Sequence, residues 1–144
     1  MNKIVLVTGG FDPIHSGHIA YLKEAKKLGD MLVVGVNSDE WLIRKKGKFF
    51  LPYHERRTII QNIKGVDAVI GFNDDDETAK DAIVKVREFN PYSEIIFANG
   101  GDRTKENIPE MDIVDDNLSF VFGVGGEHKM NSSSWILSNW ENTK

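Results

Sequence analysis

The sequence predicts an α/β fold: a doubly wound parallel sheet of about five strands in one domain over residues 1–144. Ile4-Val5-Leu6-Val7 is a β-branched-rich apolar run without alternation, which marks a strand covered on both faces. Helical spacing follows it, with Ile19, Leu22, Ala25 and Leu28 each three apart. The chain of 144 residues is long enough for one hydrophobic core and too short for two comfortable ones.

The elements follow in order. Gly29-Asp30 closes the first helix, and Met31 to Val36 reads as a second buried strand, completing a βαβ unit. Asn37 to Pro52 is polar and basic, a helical turn from Ser38 and then a loop able to cover a site. Ile59, Ile60 and Ile63 share one helix face, and Ala68-Val69-Ile70 forms a third strand. Asp74, Asp75, Asp76 and Glu77 precede a helix carrying Ala79, Ala82, Ile83 and Val86, and are read as N-capping and dipole-matching residues. Glu94 to Ala98 and Leu118 to Val124 supply two more strands. Ser132 to Trp140 forms a short serine-capped helix, with Trp135 and Trp140 read as core or dimer contacts. Ligands of such sheets bind beyond the carboxyl ends of the strands, which places the chemistry at residues 8–18, 37–48, 98–103 and 124–134.

Composition narrows the function. Hydrophobic residues at 40% and charged residues at 28% exclude a disordered or fibrous chain. With no cysteine, a disulfide framework, a thiolate zinc site and a cysteine nucleophile are all excluded. No apolar run approaches a signal core or membrane span, so a cytoplasmic protein without membrane partners is expected. A net charge of −4 argues against nucleic acid as a partner. An anionic ligand then needs local compensation, which Arg44, Lys45, Lys46, Lys48, Arg56 and Arg57 supply.

The first strand runs into Gly9-Gly10-Phe11-Asp12-Pro13-Ile14-His15-Ser16-Gly17-His18. This is neither G-x-G-x-x-G nor a P-loop, because no lysine follows the last glycine. It is a glycine turn followed by two histidines on one face of an opening helix. A helix N-terminus offers free N–H groups and partial positive charge to a phosphate, and two imidazoles enlarge that donor set. Helix capping by one histidine and partial burial of the other is the plain alternative. His54 and His128 have no neighbours that would complete a zinc site.

The run Gly10 to His18 resembles the H-x-G-H signature of the cytidylyltransferase-like nucleotidyltransferases. The resemblance continues through Leu28-Gly29-Asp30, Val36-Asn37-Ser38-Asp39, the loop lysines, Glu55-Arg56-Arg57, Val66 to Ile70 and Gly100-Gly101-Asp102. It implies a Rossmann-like domain that joins a nucleotidyl group of CTP or ATP to a phosphorylated small molecule and releases pyrophosphate. Residues matching His15 and His18 would stabilise the transition state, and Thr8, Gly9, Gly10 and Phe11 would line the phosphates. A lysine matching Lys45 or Lys46 would hold substrate phosphates, with Asp12 beside it on the acceptor. Asn99, Gly100, Gly101 and Asp102 would lie against the nucleoside, and Ser132, Ser133 and Ser134 would meet the triphosphate. A homodimer is implied by the resemblance alone.

One departure bears on the nucleotide. The cytidylyltransferases carry an arginine-threonine pair before the serine run, where this chain has Gly126 to Asn131, with Lys129 as a point charge in its place. Gly100-Gly101-Asp102 is closer to the heptose-1-phosphate adenylyltransferase type. CTP is the main expectation, ATP with a sugar phosphate or cofactor precursor the alternative, and a non-catalytic nucleotide-binding module the rival of another class. A phosphate monoester is mostly dianionic at neutral pH, its second pKa being about 6, so in-line attack needs no general base. Mg²⁺ is expected to bridge the triphosphate with few protein ligands, and no metal-binding residues are assigned.

Overall fold

A computed structural model describes residues 2–100, 108–125 and 132–142. It contains β1 (Lys3–Gly9), α1 (Ser16–Lys26), β2 (Met31–Val36), α2 (Asp39–Lys46), α3 (Tyr53–Gln61), β3 (Ala68–Gly71), α4 (Lys80–Phe89), β4 (Glu94–Gly100), β5 (Leu118–Val124) and α5 (Ser133–Asn142). A short 3-10 turn, Pro109–Asp112, precedes β5. The five strands pair in parallel in the order β3-β2-β1-β4-β5.

The unbroken apolar run of β1 has the predicted cause. Val5 and Val7 face a core layer with Leu22 and Ala25 of α1 and Ile60 of α3. Ile4 and Leu6 face the other layer, with Ala82, Ile83 and Val86 of α4. Helices therefore cover both faces of the sheet, as the absence of alternation required. Gly29 sits where any side chain would strike β1: an added Cβ would lie 2.8 Å from the Lys3 carbonyl oxygen. No helix among the described residues is long and apolar enough to cross a membrane.

Two expectations change. The stretch after β2 is a two-turn helix, α2, and not a turn followed by loop. Its N-cap is Ser38, whose hydroxyl accepts from the Trp41 amide, and its C-cap is Gly47 at φ +87°. Only Leu42 is buried, so apolar periodicity gave no sign of it. The acidic run does not cap α4 as expected, because Ala79 is the N-cap and makes no side-chain cap bond. Asp74 is instead buried and reaches back to β2, accepting from Asn37 Nδ2 and from the amide and hydroxyl of Ser38. It thereby supports the start of α2. Trp135 and Trp140 are 55% and 59% exposed, so neither belongs to the core.

The chain runs outward from β1 to β2 and β3, then returns to place β4 on β1's other side. The carboxyl ends of β1 and β4 consequently flank the point where strand order reverses, the usual crevice of such sheets.

Candidate active site

Beyond β1 the chain makes a tight turn over Gly9, Gly10 and Phe11. A Cβ on Gly10 would lie 2.9 Å from Leu42 Cδ2, so glycine lets α2 pack directly on the turn. Phe11 takes a left-handed conformation, φ 52°, an uncommon state for a bulky residue. Its ring is buried beneath Gly9 and meets His18 edge-on at 5.0 Å between centroids. Asp12 is also buried, and its two carboxylate oxygens accept from the amides of Phe50 and Leu51 at 2.6 and 2.7 Å. Any contribution of Asp12 to acceptor binding therefore runs through holding that segment in place.

Both histidines cap α1. His15 is the N-cap of α1, and its Nδ1 accepts from the Gly17 amide at 3.0 Å. His18 Nδ1 accepts from the His15 amide at 3.2 Å, closing a reciprocal capping box. The rings stack 3.9 Å apart, 28° from parallel. An Nδ1 that accepts an amide proton places the imidazole's own proton on Nε2. Each histidine thus has an Nε2–H donor to offer beside the helix N-terminus.

Burial first, then the charges of His15 and Lys46, push His18 down to about 3. His15 is also lowered, by burial and by Lys46. Both shifts favour the neutral imidazole. Because His18 is depressed in the folded state, the unfolded chain binds the extra proton between its ordinary value of 6.5 and about 3. Stability contributed by this group is full above that window and is lost as pH falls through it. His18→Asn is expected to flatten the dependence of unfolding free energy on pH by up to about 1.4 kcal/mol per pH unit. Urea titrations between pH 4.5 and 6.5 check this, and an unchanged slope would refute it.

The structure separates the two lysines. Lys46 Nζ donates to the Asp12 carbonyl at 3.0 Å, and its charge acts on both imidazoles. Burial holds its pKa below the usual lysine value. Lys45 lies over the Trp41 ring, 4.6 Å from the centroid. From the far end of the chain, Ser133 Oγ donates to the Pro13 carbonyl at 2.7 Å, and Ser132 Oγ accepts from the Trp135 amide. The first turn of α5 therefore meets the glycine turn, whereas Ser134 lines a neighbouring cavity. On the opposite wall Asn99 is buried at the end of β4, and Gly100 packs against the Tyr21 ring. Tyr21 in turn donates to the Ala98 carbonyl. Thr8 is the penultimate residue of β1, its methyl group against Gly35. Gly101, Asp102 and Lys129 lie outside the described residues.

Two of the six basic residues read as charge compensation do other work. Arg44 pairs with Glu77 at 2.6 Å and bonds the Asp74 carbonyl. Arg56 is 1% exposed. It donates to the carbonyls of Leu51, Gly10 and Asn37 and to Asp39 Oδ1 at 2.7–2.9 Å, fastening the glycine turn, the end of β2 and the α2–α3 connection together. A signal for this was present in the sequence: Arg56 stands four residues before buried Ile60, on the same helix face.

Among the described residues no group of three His, Asp or Glu side chains could hold an ion. The Asp12 carboxylate is taken by amides.

A glycine turn, a donor-rich helix N-terminus and Lys46 meet at the sheet's switch point, the kind of place where α/β domains receive phosphates. The cytidylyltransferase-like family model matches residues 6–124, and the chain belongs to that family. Among curated proteins it resembles the bifunctional protein HldE of Erwinia tasmaniensis, 39% identical over 112 residues, covering 69% of this chain and 23% of that protein. HldE of Hahella chejuensis is 37% identical over 127 residues, covering 87% of this chain and 24% of the relative. The chain thus spans about a quarter of these relatives' length. Among solved structures, the lipopolysaccharide core biosynthesis protein from Thermoplasma volcanium has a TM-score of 0.61 at 29% identity, covering 91% of this chain and all of that one. A bifunctional NMN adenylyltransferase/ADP ribose pyrophosphatase from Francisella tularensis shares the fold, with a TM-score of 0.71 at 13% identity, over all of this chain and 43% of that one.

Proposed function

We propose that this domain transfers an adenylyl group from ATP to a sugar phosphate. The observation that carries nucleotidyl transfer is the stacked His15–His18 pair, with Nε2–H donors and Lys46 beside the N-terminus of α1. An acceptor phosphate oxygen forms a bond to the α-phosphorus, the bond to the bridging oxygen breaks, and pyrophosphate leaves with the electron pair. Neutral imidazole donors suit the charge that grows on that leaving group, because they stabilise it without giving up a proton. Lys46 brings the attacking and departing anions together, and its charge already reaches both imidazoles. Mg²⁺, travelling with the triphosphate, would supply further charge neutralisation.

ATP replaces CTP as the preferred nucleotide for two reasons. The family's arginine-threonine pair is missing before the serine run, and Gly100-Gly101-Asp102 follows the adenylyl type. The likeness to HldE proteins, and to a lipopolysaccharide core biosynthesis protein, supports the same choice and a sugar-derived acceptor. Cytidylyl transfer from CTP is the second reading, favoured by the family model. Calorimetric titration with ATP and with CTP, each with Mg²⁺, decides between them. At least tenfold tighter binding of ATP is expected; preference for CTP would reverse the assignment, and binding of neither by a folded sample would count against nucleotidyl transfer.

A further inference from the structure

A second cavity adjoins the imidazole site. It measures about 460 Å³ and lies between Lys46, Lys48, Phe49 and Phe50 on one side and Ser134, Leu137, Ser138, Trp140 and Glu141 of α5 on the other. That volume falls in the usual small-molecule range of about 300–1,000 Å³. Residues 134, 137, 138 and 141 follow the i, i+3, i+4, i+7 spacing, so one helix face supplies most of this wall. Lys46 belongs both to this cavity and to the cluster around His15 and His18. The cavity therefore borders the imidazole cluster at Lys46.

Its lining is mixed. Lys46 is shared with the imidazole cluster, and the Lys48 ammonium stands 3.7 Å from the Glu141 carboxylate. Phe49, Phe50 and Trp140 are 38%, 54% and 59% exposed, an unusual display of aromatic surface beside a polar cleft. Hydroxyls of Ser134 and Ser138 and the Glu141 carboxylate stand among the aromatics. A phosphate bearing a hydroxylated ring matches each kind of group: anion on lysine, apolar C–H face on an aromatic ring, hydroxyls on serine and carboxylate. A quaternary ammonium head would fit the aromatics, but Glu141 lies 3.7 Å from Lys48, which offsets the negative charge such a head would need.

We infer that this cavity is the acceptor subsite, with the acceptor's phosphate on Lys46 and its hydroxylated ring against Trp140 and Glu141. The inference rests on the nucleotidyl-transfer reading and adds that α5 selects the acceptor by its ring. The test begins with pyrophosphate release from ATP and Mg²⁺ using the full chain and four probes: mannose 1-phosphate, a heptose 1-phosphate, glycerol 3-phosphate and phosphocholine. A ring-bearing phosphate is expected to be the best acceptor. Trp140→Ala should then raise KM for it at least tenfold with kcat and ATP affinity changed less than twofold. Glu141→Gln should raise KM about threefold, and Trp140→Phe, which keeps an aromatic face, should stay within threefold of the parent. Equal KM in the parent and Trp140→Ala would overturn the subsite while leaving nucleotidyl transfer intact, as would a preference for glycerol 3-phosphate or phosphocholine. Absence of pyrophosphate release with all four, in a folded sample that binds ATP, would remove the transfer reading and this inference with it.

Discussion

Replacing His18 by alanine is expected to lower kcat for nucleotidyl transfer by about 10²–10³-fold, the usual loss when one preorganised donor to a developing anion is removed. The effect should fall on kcat more than on ATP affinity. In the proposed transfer the α1 N-terminus and Lys46 would still hold the ground-state phosphates, whereas the Nε2–H contact would matter most as charge moves onto pyrophosphate. His18 also caps α1 through Nδ1, so the same change should cost about 1 kcal/mol of stability. The two effects separate on measurement, one by steady-state kinetics and the other by urea unfolding. His15→Ala should behave alike, because its ring has the same tautomer and stacks on its partner. A kcat within tenfold of the parent in both variants would remove the imidazoles from the chemistry.

Arg56→Ala should produce the largest loss of stability, about 3–5 kcal/mol, as expected when one member of a buried ion pair is deleted. The guanidinium satisfies three carbonyls and a carboxylate, and removing it leaves buried acceptors without donors. A domain of this size has only about 5–15 kcal/mol to lose, so the variant should unfold at low urea or accumulate poorly. Arg56→Lys should recover little, because an ammonium on a flexible stem does not reproduce the planar fork. Equilibrium urea denaturation checks both variants; a loss below 1 kcal/mol in Arg56→Ala would mean that the four bonds contribute little net free energy.

Arg56 also marks where reading the sequence stopped short. All five strands were legible, because uninterrupted runs such as Ile4 to Val7 are demanded by helices on both faces. The histidine motif was legible too, since a strand, two glycines and a helical period leave few places for His15 and His18 except the helix start. Charge was read less well. Basic side chains near a phosphate motif look like ligands, yet Arg44 and Arg56 are engaged by Glu77, Asp74, Asp39 and backbone carbonyls. The acidic run was assigned to the nearest helix, whereas Asp74 bonds residues 36 and 37 positions away, a distance local rules cannot span. Only the first turn of α2, at Ser38, was legible, because the helix rests on a serine cap and one buried leucine rather than an apolar stripe.

Parallel pairing of all five strands gives the molecule two poles with different tolerances. Every strand delivers its carboxyl end to the pole carrying the glycine turn, Lys46 and Asn99. The start of β1 at Lys3 lies at the other pole, beside Asp30, which accepts from its amide. Polypeptide joined ahead of Lys3 would emerge facing away from the cleft and leave substrate approach unobstructed. Polypeptide joined after Asn142 would emerge next to Trp140 and Glu141, at the rim of the second cavity. Purification handles, reporter fusions and surface tethers for this domain therefore belong at its amino end.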